Sequence, residues 1–316
     1  MGLAGNRGRS LWALTSYFNP MHYQRRLANF HVFRNPLPVP LAVIELSFDG
    51  HYEVGAGDAD LLIQLRGDDI MWQKERLLNL LLRRLPTECR QVAWLDCDIV
   101  FERHDWHEHI ANALTRARLV QLFRRVHYMP PYAVADAAAE SVATLTRESL
   151  GSWLNSGLSI DEAMTRTMDR RSDAPTHGIA WAASRDLLER HGHYDASIVG
   201  GGDTALACAA LGAFGHVMQF HCMNISQRER YLAWGEPFHR DALGAVSYLD
   251  GDVFHLWHGK LADRRRSQRH QQLAPFGFDP GSDIAVAASG CWRWATDKPD
   301  LHRYVRDHFA ARKEDG

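Results

Sequence analysis

The stretch Val92-Ala93-Trp94-Leu95-Asp96-Cys97-Asp98-Ile99-Val100-Phe101 carries an apolar run into two acids one residue apart. Its β-branched, aromatic and aliphatic residues read as a strand. Residues i and i+2 of a strand project to one face, so Asp96 and Asp98 would present two like charges together. That is costly unless a cation joins them. Hard oxygen ligands suit Mg²⁺ or Mn²⁺, ions that take further ligands from substrate phosphates. The motif points to a divalent-metal, diphosphate-handling site. The alternative is a strand end whose acids cap a following turn.

Outward from this motif, strands are expected over 11–17, 41–48 and 60–65, with helices over 24–33 and 69–85. Trp72, Leu77, Leu78, Leu81, Leu82 and Leu85 fall mostly on one face of the second helix. Pro36, Pro38 and Pro40 break the chain between elements. Alternating strands and helices imply parallel βαβ units. Ligands in such sheets sit beyond the carboxyl ends of strands, which is where Asp96 and Asp98 fall. Farther on, the reading gives a helix over 105–118, a strand over 119–123 and an excursion over the active-site face across 127–155. A strand over 179–183 and helices over 184–191, 204–211 and 226–235 follow. A strand over 246–257 and a surface helix over 301–312 close the chain. There is no internal repeat and no heptad pattern.

The 316 residues are 46% hydrophobic with a formal net charge of -2, which argues against a generic nucleic-acid binder but leaves room for a local basic patch. That length allows one large domain or two modest ones. Cys89, Cys97, Cys208, Cys222 and Cys291 are odd in number and lack C-x-x-C spacing. This points to a reducing compartment without structural zinc. Residues 1–10 have no apolar core and no stretch is long enough to span a membrane, so a cytoplasmic protein is expected.

Four further features bear on chemistry. Lys74 and Asn79, on the helix before the acids, would reach a nucleotide or its phosphates, or else form a solvated helix face. Gly200-Gly201-Gly202-Asp203 opens a helix; glycines let backbone approach a ligand, and helix starts bind anions. Asp203 is then either an N-cap or a base that takes a proton from an acceptor hydroxyl. His255-x-x-His258-Gly259 adds imidazoles that would shift a carboxylate site toward Mn²⁺. His258 is the favoured ligand, while His255 alone reads first as a satisfied buried histidine and second as a ligand. Arg264, Arg265, Arg266 and Arg269 follow, as phosphate forks or as a solvated face. His104, His107 and His109 read as surface residues.

In order and content, Lys74 and Asn79, Asp96-Cys97-Asp98, Gly202-Asp203 and His255 or His258 resemble the GT-A glycosyltransferases over residues 10–260. The Gly-Gly-Asp turn with a downstream histidine is most like the inverting galactosyl- and N-acetylgalactosaminyl-transferases. The resemblance implies an α/β, Rossmann-like nucleotide-diphospho-sugar transferase with a central, mostly parallel sheet and helices on both faces. It implies a nucleotide-sugar half over 10–125, an acceptor half over 126–260 and a C-terminal extension, 261–316, packed on both. Thr15, Ser16 and Glu45 would hold the nucleoside. Lys74, Asn79, Asp96, Gly201 and Gly202 would bind the rest of the donor. Asp98 and His258 would hold Mn²⁺ or Mg²⁺, with Asp96 and His255 as further candidate ligands. Asp203 would be the base of an inverting displacement. Many relatives carry a second acid at the turn, which the GGGD run lacks. Trp153, Trp181 and Trp257 would stack on sugar. The acceptor would be a glycan, a lipid-linked glycan or a protein, with a hydroxylated DNA base as the lesser option. Two rival functions use the same residues. One is a metal-dependent hydrolase of nucleotide sugars or phosphodiesters, and the other a non-catalytic carbohydrate-binding protein.

Overall fold

A computed structural model describes residues 10–131, 142–266 and 268–316. The strands are β1 (Leu11–Phe18), β2 (Leu41–Ser47), β3 (Leu61–Arg66), β4 (Gln91–Leu95), β5 (Ile99–Phe101), β6 (Leu119–Gln121) and β7 (Arg125–Tyr128). β8 (Leu145–Glu148), β9 (Ala180–Ser184), β10 (Val246–Tyr248), β11 (Asp252–His255), β12 (Ile284–Val286) and β13 (Trp292–Trp294) complete them. A seven-stranded sheet has the order β10-β6-β9-β4-β1-β2-β3, and a four-stranded sheet the order β5-β11-β7-β8. In the large sheet only β9 runs antiparallel to its neighbours. The fold is the expected α/β class with a mostly parallel central sheet.

Burial on both faces explains the unbroken apolar runs. Along β1, Trp12, Leu14 and Phe18 pack on one side with Leu77, Leu81 and Trp181. Leu11, Ala13 and Tyr17 pack on the other with Phe30, Phe33 and Val43. β4 divides likewise: Val92 and Trp94 join the first core, Ala93 and Leu95 the second.

β1 lies between β2 and β4, so successive connections leave it in opposite directions. That switch opens a crevice beyond the carboxyl ends of the two strands. The Thr15 hydroxyl donates to Leu95 O at 2.8 Å and pins β1 to the end of β4 there.

Several elements differ from the sequence reading. The helix expected over 69–85 is Lys74–Leu82, because its first residues pair with the C-terminal hairpin instead. Trp294 N donates to Asp69 Oδ2, and Gln73 exchanges hydrogen bonds with the Trp292 backbone. The helix over 226–235 extends to Ile225–Ala242, started by a capping box between Asn224 and Gln227. The segment expected as an excursion holds β7, β8 and the helix Leu150–Asn155, started by the Ser149 side chain. Its residues 132–141 lie outside the described residues. The long strands expected over 92–101 and 246–257 are each two strands, one in each sheet.

Candidate functional site

Those two broken strands build the site. The chain leaves the large sheet after Leu95, turns through Asp96, Cys97 and Asp98, and enters the small sheet as β5. It makes the same crossing between β10 and β11 at Gly251, whose φ of +113° suits glycine. β5 and β11 then pair antiparallel with His255 opposite Ile99, which sets His255 beside Asp98. Main-chain bonds clamp the acidic turn, Asp96 N to Ile179 O and Leu256 N to Asp98 O, both 2.8 Å. The expectation that Asp96 and Asp98 share a strand face is therefore corrected. They stand on a turn, and each takes its own partners.

Asp98 turns to the histidines. His258 Nε2 lies 2.8 Å from Asp98 Oδ2, and His255 Nε2 lies 3.8 Å from Oδ1. The two imidazoles stack at 5.1 Å, and Tyr128 packs against His255 at 5.0 Å. Burial would raise the Asp98 carboxyl, but the two imidazoles and Arg264 hold it far below the usual carboxylate range. Burial pushes His255 down to about 3. Donor atoms of Asp98, His255 and His258 all lie within 4.8 Å of one another. Among the described residues, Asp98 Oδ1 and His258 Nδ1 are buried without hydrogen-bond partners. An Arg264 nitrogen also lies 2.8 Å from His258 Nε2, and a single tautomer cannot serve both it and Asp98. One carboxylate and two imidazoles with unspent lone pairs fit a borderline divalent cation such as Mn²⁺. Asp96 stands apart from this group, and the Arg264 guanidinium would have to withdraw from the ligand nitrogens.

The neighbouring wall is organised by Lys74. Its Nζ lies 2.6 Å from Asp96 Oδ1 and 3.1 Å from Asp203 Oδ2. Burial opposes the Lys74 charge, yet Asp203 and Asp96 hold the ammonium well above its ordinary range. Asp203 stands in the first turn of the helix Gly202–Ala210, whose N-cap is Gly201. Its carboxylate faces Lys74 and makes no cap, which disposes of plain N-capping. Next to Lys74, Glu75 is buried and takes a 3.2 Å hydrogen bond from Trp72 Nε1. Burial, reinforced by Asp203, pushes Glu75 up to about 8. A carboxyl group beside Asp203 is thus present, supplied by another helix. Both walls line one cleft of about 640 Å³, together with Thr15, Ser16, Trp72, Gly201, His177 and several arginines.

Other expected residues lie elsewhere. Asn79 is five residues from Lys74, about 140° around a helix, and so faces away. It binds the His193 backbone at N and O, and Asp195. Glu45 is buried, receiving the Glu53 and Val54 amides and Gln64 Nε2; it shapes the 53–54 loop outside the large cleft. The glycines answer to side chains behind them. A Cβ on Gly201 would lie 2.6 Å from His221 Nε2, and one on Gly202 would run into the Glu75 carboxyl. Trp153 and Trp181 are core residues, and Trp257 packs under Arg25. Trp72 is the tryptophan of the cleft. His104, His107 and His109 lie toward the surface, as expected.

The sequence reading missed the tail. Glu314 is buried, ion-pairs with Arg26 and Arg312, and lies 3.4 Å from His258 Nδ1. Arg312 packs over Trp72 and lines the cleft. No local pattern in residues 310–316 marks this role.

No family model and no curated protein matches the sequence. Among solved structures, the chain is similar to glucosyl-3-phosphoglycerate synthase from Mycobacterium tuberculosis in complex with Mn²⁺, UDP and glucosyl-3-phosphoglycerate. The identity is 14%, with 88% of this chain and 83% of that chain covered at a TM-score of 0.43. It is similar to S. aureus TarS 1–349 in complex with UDP-GlcNAc at 9% identity, 80% and 60% coverage and a TM-score of 0.42. It is also similar to the catalytic domain of Drosophila β1,4-galactosyltransferase 7 in complex with xylobiose. There the identity is 9%, the coverage 93% and 99%, and the TM-score 0.37. At this level of likeness, the chemistry has to be argued from the cleft itself. Among the described residues no helix is long and apolar enough to cross a membrane.

Proposed function

We propose that this chain is a metal-dependent glycosyltransferase, moving a sugar from a nucleoside-diphosphate donor to an acceptor hydroxyl with inversion. The observation that carries the reading is the cluster Asp98, His255 and His258 in the same cleft as a lysine-held Asp203. Asp98, His255 and His258 would hold Mn²⁺ or Mg²⁺. The bound ion would supply Lewis-acid stabilisation of the leaving diphosphate. Arg264 would offer its fork to phosphate oxygens. Thr15 and Ser16, at the crevice between β1 and β4, would meet the nucleoside. Asp203 would accept the proton of the acceptor hydroxyl, and Lys74 would hold that carboxylate in place. One displacement from the face opposite the leaving group inverts the anomeric centre. A glycan, lipid-linked glycan or protein hydroxyl would serve as acceptor. The five free cysteines support a reducing, cytoplasmic setting.

A thermal-shift screen of nucleotide sugars with and without Mn²⁺ tests this reading. A shift that needs both supports it, since a ligand of the folded state raises the melting temperature. Absence of any shift in folded protein sinks it. Rapid donor cleavage without an acceptor would make the protein a hydrolase.

A further inference from the structure

Residues 310–316 contribute no cation ligand and no base, yet they are pinned around His258 at several points. Asp315 accepts the Gln24 and Arg25 amides in the first turn of the helix Gln24–Arg34. Tyr23, the N-cap of that helix, donates its hydroxyl to Ala310 O at 3.0 Å. From the same helix Arg26 ion-pairs with Glu314 at 2.9 Å, and Asn29 donates to Trp257 O, next to His258. One helix therefore holds both this segment and the loop that carries the histidine. The segment and the loop also touch directly. A Cβ on Gly259, whose φ is +82°, would lie 2.7 Å from Arg312 O and 2.8 Å from Lys313 O. Glycine lets the backbone after His258 pass against the segment.

Glu314 is the group that this interlock brings to the site. Its side chain is 1% exposed. Oε2 accepts from Arg26 Nη1 at 2.9 Å, and Oε1 accepts from Arg312 Nε at 2.6 Å. Oε1 also lies 3.4 Å from His258 Nδ1, the ring nitrogen other than the one that meets Asp98. Two guanidinium groups keep the carboxylate charged and fixed whatever the histidine does. A buried carboxylate beside Nδ1 favours the proton on that nitrogen and leaves Nε2 bare. A bare Nε2 accepts from Arg264 at 2.8 Å, and it is the nitrogen turned to Asp98. A carboxylate behind a metal-ligating imidazole fixes the tautomer and the ring orientation.

We propose that Glu314 is a positioning residue for the cation site. Its carboxylate holds the His258 ring with Nδ1–H toward residues 310–316 and Nε2 toward Asp98, so docking of this segment and binding of the cation strengthen each other. This rests on the cation site of the glycosyltransferase reading and deepens it.

The test is calorimetric titration of Mn²⁺ into the full chain as wild type, Glu314→Gln, His258→Ala and the double variant. Glu314→Gln should weaken Mn²⁺ about tenfold. It should cost nothing further where His258 is already alanine. A residue that only braces the fold would weaken both backgrounds alike, and that result would overturn the proposal. So would an unchanged Mn²⁺ affinity in Glu314→Gln. Hydrogen exchange of wild type covers the case in which Glu314→Gln does not fold. If the docked segment raises Mn²⁺ affinity about tenfold, Mn²⁺ must favour docking by the same factor. The amides of Arg312 and Gly316, bonded to Phe309 O and Lys313 O, should exchange up to about tenfold more slowly with Mn²⁺. Asp98→Ala at the same Mn²⁺ concentration should show no slowing. Unchanged exchange in wild type that binds the ion would overturn the proposal and leave the cation site standing. Wild type that binds no Mn²⁺ would remove the cation site and this inference together.

Discussion

The two walls of the cleft use the same kinds of side chain to opposite ends. On the wall of Asp96, Asp203 and Glu75, each acid already has a partner or is kept neutral: Lys74 reaches two carboxylates and Glu75 is held toward its neutral form. On the wall of Asp98, His255 and His258, the balance is incomplete. A carboxylate oxygen and an imidazole nitrogen are buried without a hydrogen bond, and one histidine nitrogen faces two competing neighbours. A finished ionic network is what positions a base. An unfinished one is what accepts a cation. The difference supports the proposed roles better than residue type does, since every one of these groups is ionisable.

Perturbing each wall should therefore give a different kind of loss. The largest is expected at Asp203. Asp203→Asn should keep donor affinity and lower transfer by about two to four orders of magnitude, read as kcat with KM for the donor unchanged. Surviving transfer would move the base elsewhere. Next comes Lys74→Met, which leaves two half-buried carboxylates uncompensated; denaturant unfolding should show a loss of about 1–3 kcal/mol. An unchanged midpoint would mean the ion pairs contribute nothing net.

On the other wall the distinguishing loss should be in ion affinity. Asp98→Ala is expected to weaken Mn²⁺ about a hundredfold, His258→Ala less, and His255→Ala least. The order follows their spacing, since His258 is 2.8 Å and His255 3.8 Å from Asp98. A larger effect at His255 would exchange the two histidines.

The last effect, spread over several pH units and so small at any one pH step, is a pH dependence at Glu75. Its folded value of about 8 exceeds the ordinary 4.5, so its share of stability is full below 4.5 and is lost as pH rises through 8. Relative to Glu75→Gln, wild type should lose up to about 1.4 kcal/mol per pH unit across that window. A flat difference between pH 5 and 8 would show that Glu75 is ionised throughout.

Much of this was legible in the sequence because it was local. The apolar runs of β1, β2 and β4 and the Asp96-Cys97-Asp98 and His255-x-x-His258 patterns are short-range signals, and the structure brings them to one cleft. The errors came where tertiary contacts decide. A turn that changes sheets looks like a continuous strand when both of its flanks are apolar. Asn79 was paired with Lys74 although five helical residues point them apart. Glu45, one charge in an apolar strand, looked like a ligand-binding residue and instead holds a loop. Glu75 carries no sequence signal of its role; its burial is visible only once Gly202 is packed against it. Arg312 and Glu314 reach the site from the chain end, and no sequence spacing links them to His258.

The central claim is that Asp98, His255 and His258 form a divalent-cation site serving a nucleoside diphosphate. Titrating Mn²⁺ into wild type and Asp98→Ala, each with and without UDP, GDP, ADP or CDP, tests it most directly. The account predicts Mn²⁺ binding to wild type that one diphosphate tightens, and loss of both effects in the variant. Equal Mn²⁺ binding by the two proteins, or wild-type binding that no diphosphate alters, would contradict it.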